Sequence, residues 1–212
     1  MPRRFEPATD KSPFWRADAR EGGPSCCVSD IGVHAEFIMR YLTGRRLQRL
    51  SARLQGYTPG HSLDDNAFIL GDLGGGAFAS IWCSQVSIGR HNDIAVRVVG
   101  SKGALEWQHK EADKLYLHRL GQPEQILRKG DPALGPLAGR HAFIPLEHPE
   151  GVLEAFGALY KGFCNTLIAR KRKLNQDTLD SFPTIEDGLA GIHFVQTCLK
   201  SNSMGGAWIS LQ

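Results

Sequence analysis

Ile31, Ala35, Ile38 and Leu42 fall on one stripe of a 3.6-residue helical period. The stripe predicts a helix over about 29–43, ended by Gly44. The period then changes to two. Leu50, Ala52 and Leu54 alternate with polar residues, and short runs at 67–70, 77–86, 94–99, 104–108, 114–118 and 125–128 read as further strands. Turn residues separate them, among them Gly74-Gly75-Gly76 and Ser101-Lys102-Gly103, so the strands should form hairpins in an antiparallel sheet. Residues 130–150 read as a loop rich in Pro and Gly. Helical periodicity returns over about 150–170, with Leu153, Phe156, Ala158, Leu159, Phe163 and Leu167 expected on the inner side. Thr184 followed by Asp187 is a variant capping box and opens a third helix that ends near Ser201. A last strand is expected at 207–211. The order of elements predicts an α+β fold, a large, mostly antiparallel, open-faced β-sheet with helices packed on one face. Residues 1–25 lack a period and read as an irregular lead-in, leaving 26–212 as the folded domain.

Composition narrows the function classes. A chain of 212 residues with 42% hydrophobic and 22% charged residues can bury a full core. A net charge of +3 is too small to imply a nucleic-acid or membrane partner, and the one basic run, Arg170 to Lys173, suits a solvated helix C-terminus, so neither partner is expected. No apolar stretch reaches the ~18 residues of a membrane span. The five cysteines, Cys26, Cys27, Cys83, Cys164 and Cys198, show no C-x-x-C spacing. That pattern fits neither a disulfide framework nor a zinc site, and points to a reducing cytoplasm. Cys26-Cys27 reads as two small buried side chains, with a reactive thiol as the alternative.

The chemistry-bearing pattern is Ser29-Asp30-Ile31-Gly32-Val33-His34. Residues at i and i+4 share a helix face, so Asp30 and His34 could serve one site, the imidazole moving a proton and the carboxylate orienting it. On spacing alone the ordinary reading is a dipole-favoured Asp and a half-buried His. A metal there would need a further ligand, and none is identifiable. Residues 74–79, G-G-G-A-F-A, match a dinucleotide fingerprint in form. The residues that follow, Ser80-Ile81-Trp82-Cys83, have a strand pattern, whereas a phosphate cradle needs a helix there, so the glycines predict a hairpin turn.

Taken together the segments resemble the C-terminal domain of the Gfo/Idh/MocA oxidoreductases, the group related to glucose–fructose oxidoreductase and inositol dehydrogenase. The resemblance runs through Phe14-Trp15-Arg16-Ala17-Asp18 with Gly22-Gly23, Asp30-Ile31-Gly32-Val33-His34-Ala35, the hairpin from Val99 to Trp107, His148-Pro149-Glu150-Gly151, and the stretch from Phe182 to Gly188. It implies the sugar-facing part of a two-domain enzyme that oxidises or reduces a hydroxyl-bearing carbon of a sugar or polyol with NAD or NADP. Carried over, His34 is the acid/base and Asp30 its orienting carboxylate. The family's E-K-P lysine precedes the segment with which this chain starts, and so does its nucleotide-binding Rossmann domain. The chain then reads as an expressed domain, a truncated product or a remnant, and neither NAD nor NADP is expected to bind it alone. Arg16, Gln85, His148 and Glu150 are further substrate-binding candidates. Each has a plainer alternative: a surface arginine, a sheet residue, or a helix-capping turn. Trp82 and Trp107 read as core or interface. The open sheet face implies a homo-oligomer; a non-enzymatic dimerising β-sheet module is the alternative.

Overall fold

The computed structural model describes residues 15–174 and 182–211, so residues 1–14 of the expected lead-in lie outside it. The rest of the lead-in holds a 3₁₀ turn, Trp15–Ala17, and one helical turn, α1 (Ala19–Gly22), capped by the Asp18 carboxylate on Arg20 N. Every strand pairing is antiparallel, as expected for this α+β chain. The strands divide into two four-stranded sheets, and the chain forms two compact units, 1–89 with 184–212, and 90–183.

The first unit holds the core. Its sheet has the order β3-β2-β1-β8, from β1 (Arg49–Gln55), β2 (Asn66–Gly74), β3 (Ala77–Ser84) and β8 (Ile209–Ser210). Register aligns Ala52 with Ile69 and Ile69 with Ile81, so alternation along all three strands turns the same face inward. Against that face packs α5 (Ile185–Ser203) through Phe194, Val195 and Cys198, together with Cys27, Val28 and Leu47. Phe194 and Leu50 are fully buried, each stabilising by roughly 1.5–3 kcal/mol. Gly71 leaves the space that Leu47 fills, since a Cβ there would lie 2.1 Å from Leu47 Cδ2. The expected capping box opens α5, with Thr184 N donating to Asp187 Oδ2 at 2.8 Å. At its other end α5 finishes the sheet edge. Ser201 Oγ accepts from Ala52 N (2.8 Å) and Asn202 Oδ1 from Leu54 N (2.9 Å), where β8 has already stopped. The opposite face exposes Phe68, Leu70, Phe78 and Trp82, with Phe68 stacked on Trp82.

The glycine triplet closes the β2–β3 hairpin with φ of 73°, 60° and 79°, values that only glycine adopts freely in succession. No helix follows it. The expected first helix begins instead as a π-turn, Val28–Gly32, in which Val33 N donates to Val28 O, and continues as α2 (Val33–Thr43).

The second unit carries the sheet β4-β5-β6-β7, from β4 (Ala95–Gly100), β5 (Gly103–Gln108), β6 (Lys114–Arg119) and β7 (Gln125–Arg128). The loop that follows contains a short helix, α3 (Pro136–Arg140), and α4 spans Val152–Arg172. The expected inner stripe of α4 does not face inward. Leu153 is 80% exposed, and Phe156, Leu159, Phe163 and Leu167 are exposed as well. The buried positions are the small residues Gly162, Thr166 and Ala169. Trp107 is partly buried and donates to Ala112 O.

Candidate functional site

The site builds up from one buried carboxylate that periodicity does not reveal. Asp64 lies just before β2 and accepts from Cys26 N, Val28 N and Ser25 Oγ, each at 3.0 Å. Its own carbonyl accepts from Cys27 N at 3.0 Å. It thereby satisfies the donors that a helix start leaves open. The capping carboxylate comes from a distant loop, and Asp30 is released from that task.

Asp30 sits inside the π-turn, three-quarters buried, and two side chains grip it. Arg16 Nε lies 3.0 Å from one oxygen and Gln85 Nε2 donates to the other at 2.9 Å. Gln85, just past β3, is 7% exposed, and its Oε1 accepts from the Cys26 thiol at 2.9 Å. The Arg16 guanidinium also lies 4.5 Å from the centroid of the Trp15 ring. Three of the sequence candidates, Arg16, Asp30 and Gln85, are thus brought into direct contact. His34, the second residue of α2, is exposed rather than half-buried. An exposed imidazole can exchange a proton with a hydroxyl compound, and a fixed carboxylate can accept from hydroxyls.

His148 and Glu150 lie in the second unit. His148 is exposed. Glu150 fastens the loop before α4: it accepts from Phe143 N (2.5 Å) and Ile144 N and pairs with Lys129 at 3.1 Å. Burial acts to raise the Glu150 carboxyl, but the Ile144 N–H, the Lys129 ammonium and the Phe143 N–H outweigh it and hold it below the usual range. Cap formation at α4 falls to Glu154, which accepts from Gly151 N at 2.7 Å.

The adjacent cysteines 26 and 27 are buried, in line with the packing reading. The neighbouring Cys83 thiol and burial push the Cys27 thiol far above its ordinary range, and burial does the same to Cys198. Among the described residues no group of three or more His, Cys, Asp or Glu could hold a metal ion. No described helix is long and apolar enough to cross a membrane.

Residues 2–106, which include the Asp-Ile-Gly-x-His helix start, match the GFO/IDH/MocA C-terminal domain. The chain belongs to that oxidoreductase family. It is 27% identical over 202 residues to the uncharacterized oxidoreductase YfiI of Bacillus subtilis (strain 168), covering 93% of this chain and 51% of that protein. Among solved structures it is similar to an inositol dehydrogenase homologue from Azotobacter vinelandii. Its NAD+ complex aligns at 33% identity and TM-score 0.87 over 92% of this chain and 51% of that one. The complex of such a homologue with NADH and myo-inositol aligns at 31% and 0.85, over 97% and 55%. The chain therefore spans about half the length of the relatives it matches.

Proposed function

We propose that this chain forms the substrate-binding and oligomerisation half of an NAD(P)-dependent oxidoreductase acting on a CH–OH group of a sugar or polyol. The carrying observation is the Arg16–Asp30–Gln85 cluster, built into the π-turn that leads to exposed His34. Oxidising a carbinol removes a hydroxyl proton as well as a hydride. In this reading His34 takes that proton as the general base. Asp30, fixed by two donors, accepts from a substrate hydroxyl and orients it. The glycine triplet is no cradle for the coenzyme: it closes a hairpin, so its N–H groups cannot line a helix N-terminus around a pyrophosphate. The coenzyme would be gripped by sequence beyond these residues. The exposed Phe68, Leu70, Phe78 and Trp82 support a role for the sheet face in joining copies of the protein.

Two measurements test the reading. In the full-length enzyme, His34→Gln should lower kcat for polyol oxidation by about 10²-fold with an unchanged Tm; undiminished turnover would remove His34 from the chemistry. Calorimetric titration of the 212-residue chain with NAD+ should show no saturable binding below millimolar, and a micromolar Kd would overturn the half-enzyme reading.

A further inference from the structure

Asp30, Gln85 and Cys26 form a closed circuit. Asp30 N donates to Cys26 O at 3.0 Å, Gln85 Nε2 donates to Asp30 Oδ2 at 2.9 Å, and the Cys26 thiol donates to Gln85 Oε1 at 2.9 Å. Each member is anchored from outside the ring. Cys26 N donates to Asp64, Gln85 N donates to Asp65 O at 2.8 Å, and Arg16 holds the second Asp30 oxygen. Cys26 is 4% exposed and Gln85 7%, so neither polar end of the amide has bulk water to turn to.

The circuit has a direction. A carboxylate only accepts, so the amide must present its NH₂ to Asp30. Its carbonyl then faces Cys26, where a donor is required, and a thiol supplies one. The reversed amide would set two acceptors against each other at Asp30 and leave the thiol hydrogen aimed at an NH₂ group. We propose that Gln85 is a positioning residue for Asp30, and that the Cys26 thiol fixes which end of the Gln85 amide faces the carboxylate. The inference deepens the functional reading above and rests on it. Its consequence is that Asp30 meets substrate in one rotamer, with a lone pair of each oxygen left for a sugar or polyol hydroxyl. Cys26 and Gln85 touch no substrate; they act through Asp30.

The test separates the positioning from the function. In the 212-residue chain, the Gln85 side-chain amide should give an NMR resonance protected from exchange. Cys26→Ala should abolish that protection, and Cys26→Ser, which keeps a donor, should retain it. Unchanged protection in Cys26→Ala would overturn the proposal. In the full-length enzyme, Gln85→Met should lower kcat/KM for a polyol such as myo-inositol by about 10- to 100-fold, the scale of a misplaced reacting group. The same substitution made on top of Asp30→Asn should cost little more, because its effect passes through Asp30. Full additivity of the two would overturn the proposal. If Asp30→Asn leaves kcat/KM unchanged, the functional reading of the site fails, and the amide measurement still decides the positioning on its own. Should Cys26→Ala fail to fold, the Gln85→Met and Asp30→Asn cycle carries the test.

Discussion

The two units solve the problem of stability differently. The first stacks α5 on the inner face of its sheet, and Phe194, Leu50, Ile69 and Cys198 are shut off from water. The second has Ala104 as the one buried residue of its strands, and its long helix α4 leaves Leu153, Phe156, Tyr160 and Phe163 exposed. What it shows in place of a core is a set of ion pairs, such as Arg97 with Glu106 at 2.7 Å and Arg90 with Asp93 at 2.5 Å. Pairs whose arginines are this exposed stabilise little, because water and salt screen them. The candidate site stands on the first kind of ground. Asp64, Cys26 and Gln85 are buried, so the carboxylate they position cannot drift with a loop.

The strongest way to break this contrast is to cut into both units alike. Phe194→Ala should destabilise by about 3–5 kcal/mol, whereas Leu153→Ala should stay within about 0.5 kcal/mol, read by denaturant titration of the same chain. Equal losses would mean that the second unit has a core of its own.

A smaller effect follows from the pair of carboxylates around Arg40, which lies 3.1 Å from Glu36 and 2.5 Å from Asp187. The Arg40 hydrogen bond, with the Thr184 N–H, holds the Asp187 carboxyl below its usual range. The folded chain therefore binds that proton less readily than the unfolded one, and the stability it contributes is lost as pH falls below the ordinary carboxylate range. Burial pushes the Glu36 carboxyl up, against the pull of Arg40. Here the folded chain binds the proton more readily, so stability is lost as pH rises above the ordinary glutamate value. In Tm measured across pH 3–7 (roughly the carboxylate range), Asp187→Asn should flatten the acid side and Glu36→Gln the opposite side. A common slope change for both variants would contradict the assignment.

The smallest effect belongs to the second unit. Glu150→Gln should speed hydrogen exchange at the Phe143 and Ile144 amides while leaving global Tm nearly unchanged, because the clamp is local to its loop. A fall in Tm matching that of Phe194→Ala would show the loop to be integral to the fold.

Much of the fold was legible because one pattern decided each element. Alternation at Leu50, Ala52 and Leu54 marks β1, three glycines mark a hairpin, and Thr184 with Asp187 marks a helix start. The pattern misled at α4, where a helical stripe specifies an apolar face but not what covers it. At the site, Asp30 and His34 were visible as a spacing, and Arg16 and Gln85 as substrate-binding candidates but not as partners of Asp30. Asp64 was invisible: a lone aspartate before a strand has no period, and its importance comes from three donors brought to it by folding. The π-turn was hidden for a related reason, since one extra residue in a turn barely alters a stripe counted over eleven or more positions.

That extra residue gives the helix start a particular sensitivity to length. Removing Ser29 would let the wide turn anneal into an ordinary one, shifting the phase of everything upstream by about a hundred degrees relative to α2. No chemical group would be lost from the cluster, yet the Cys26 thiol and the Asp30 carboxylate could no longer face Gln85 together. The residue count of this stretch is thus a fixed dimension of the machine, apart from the identity of its side chains.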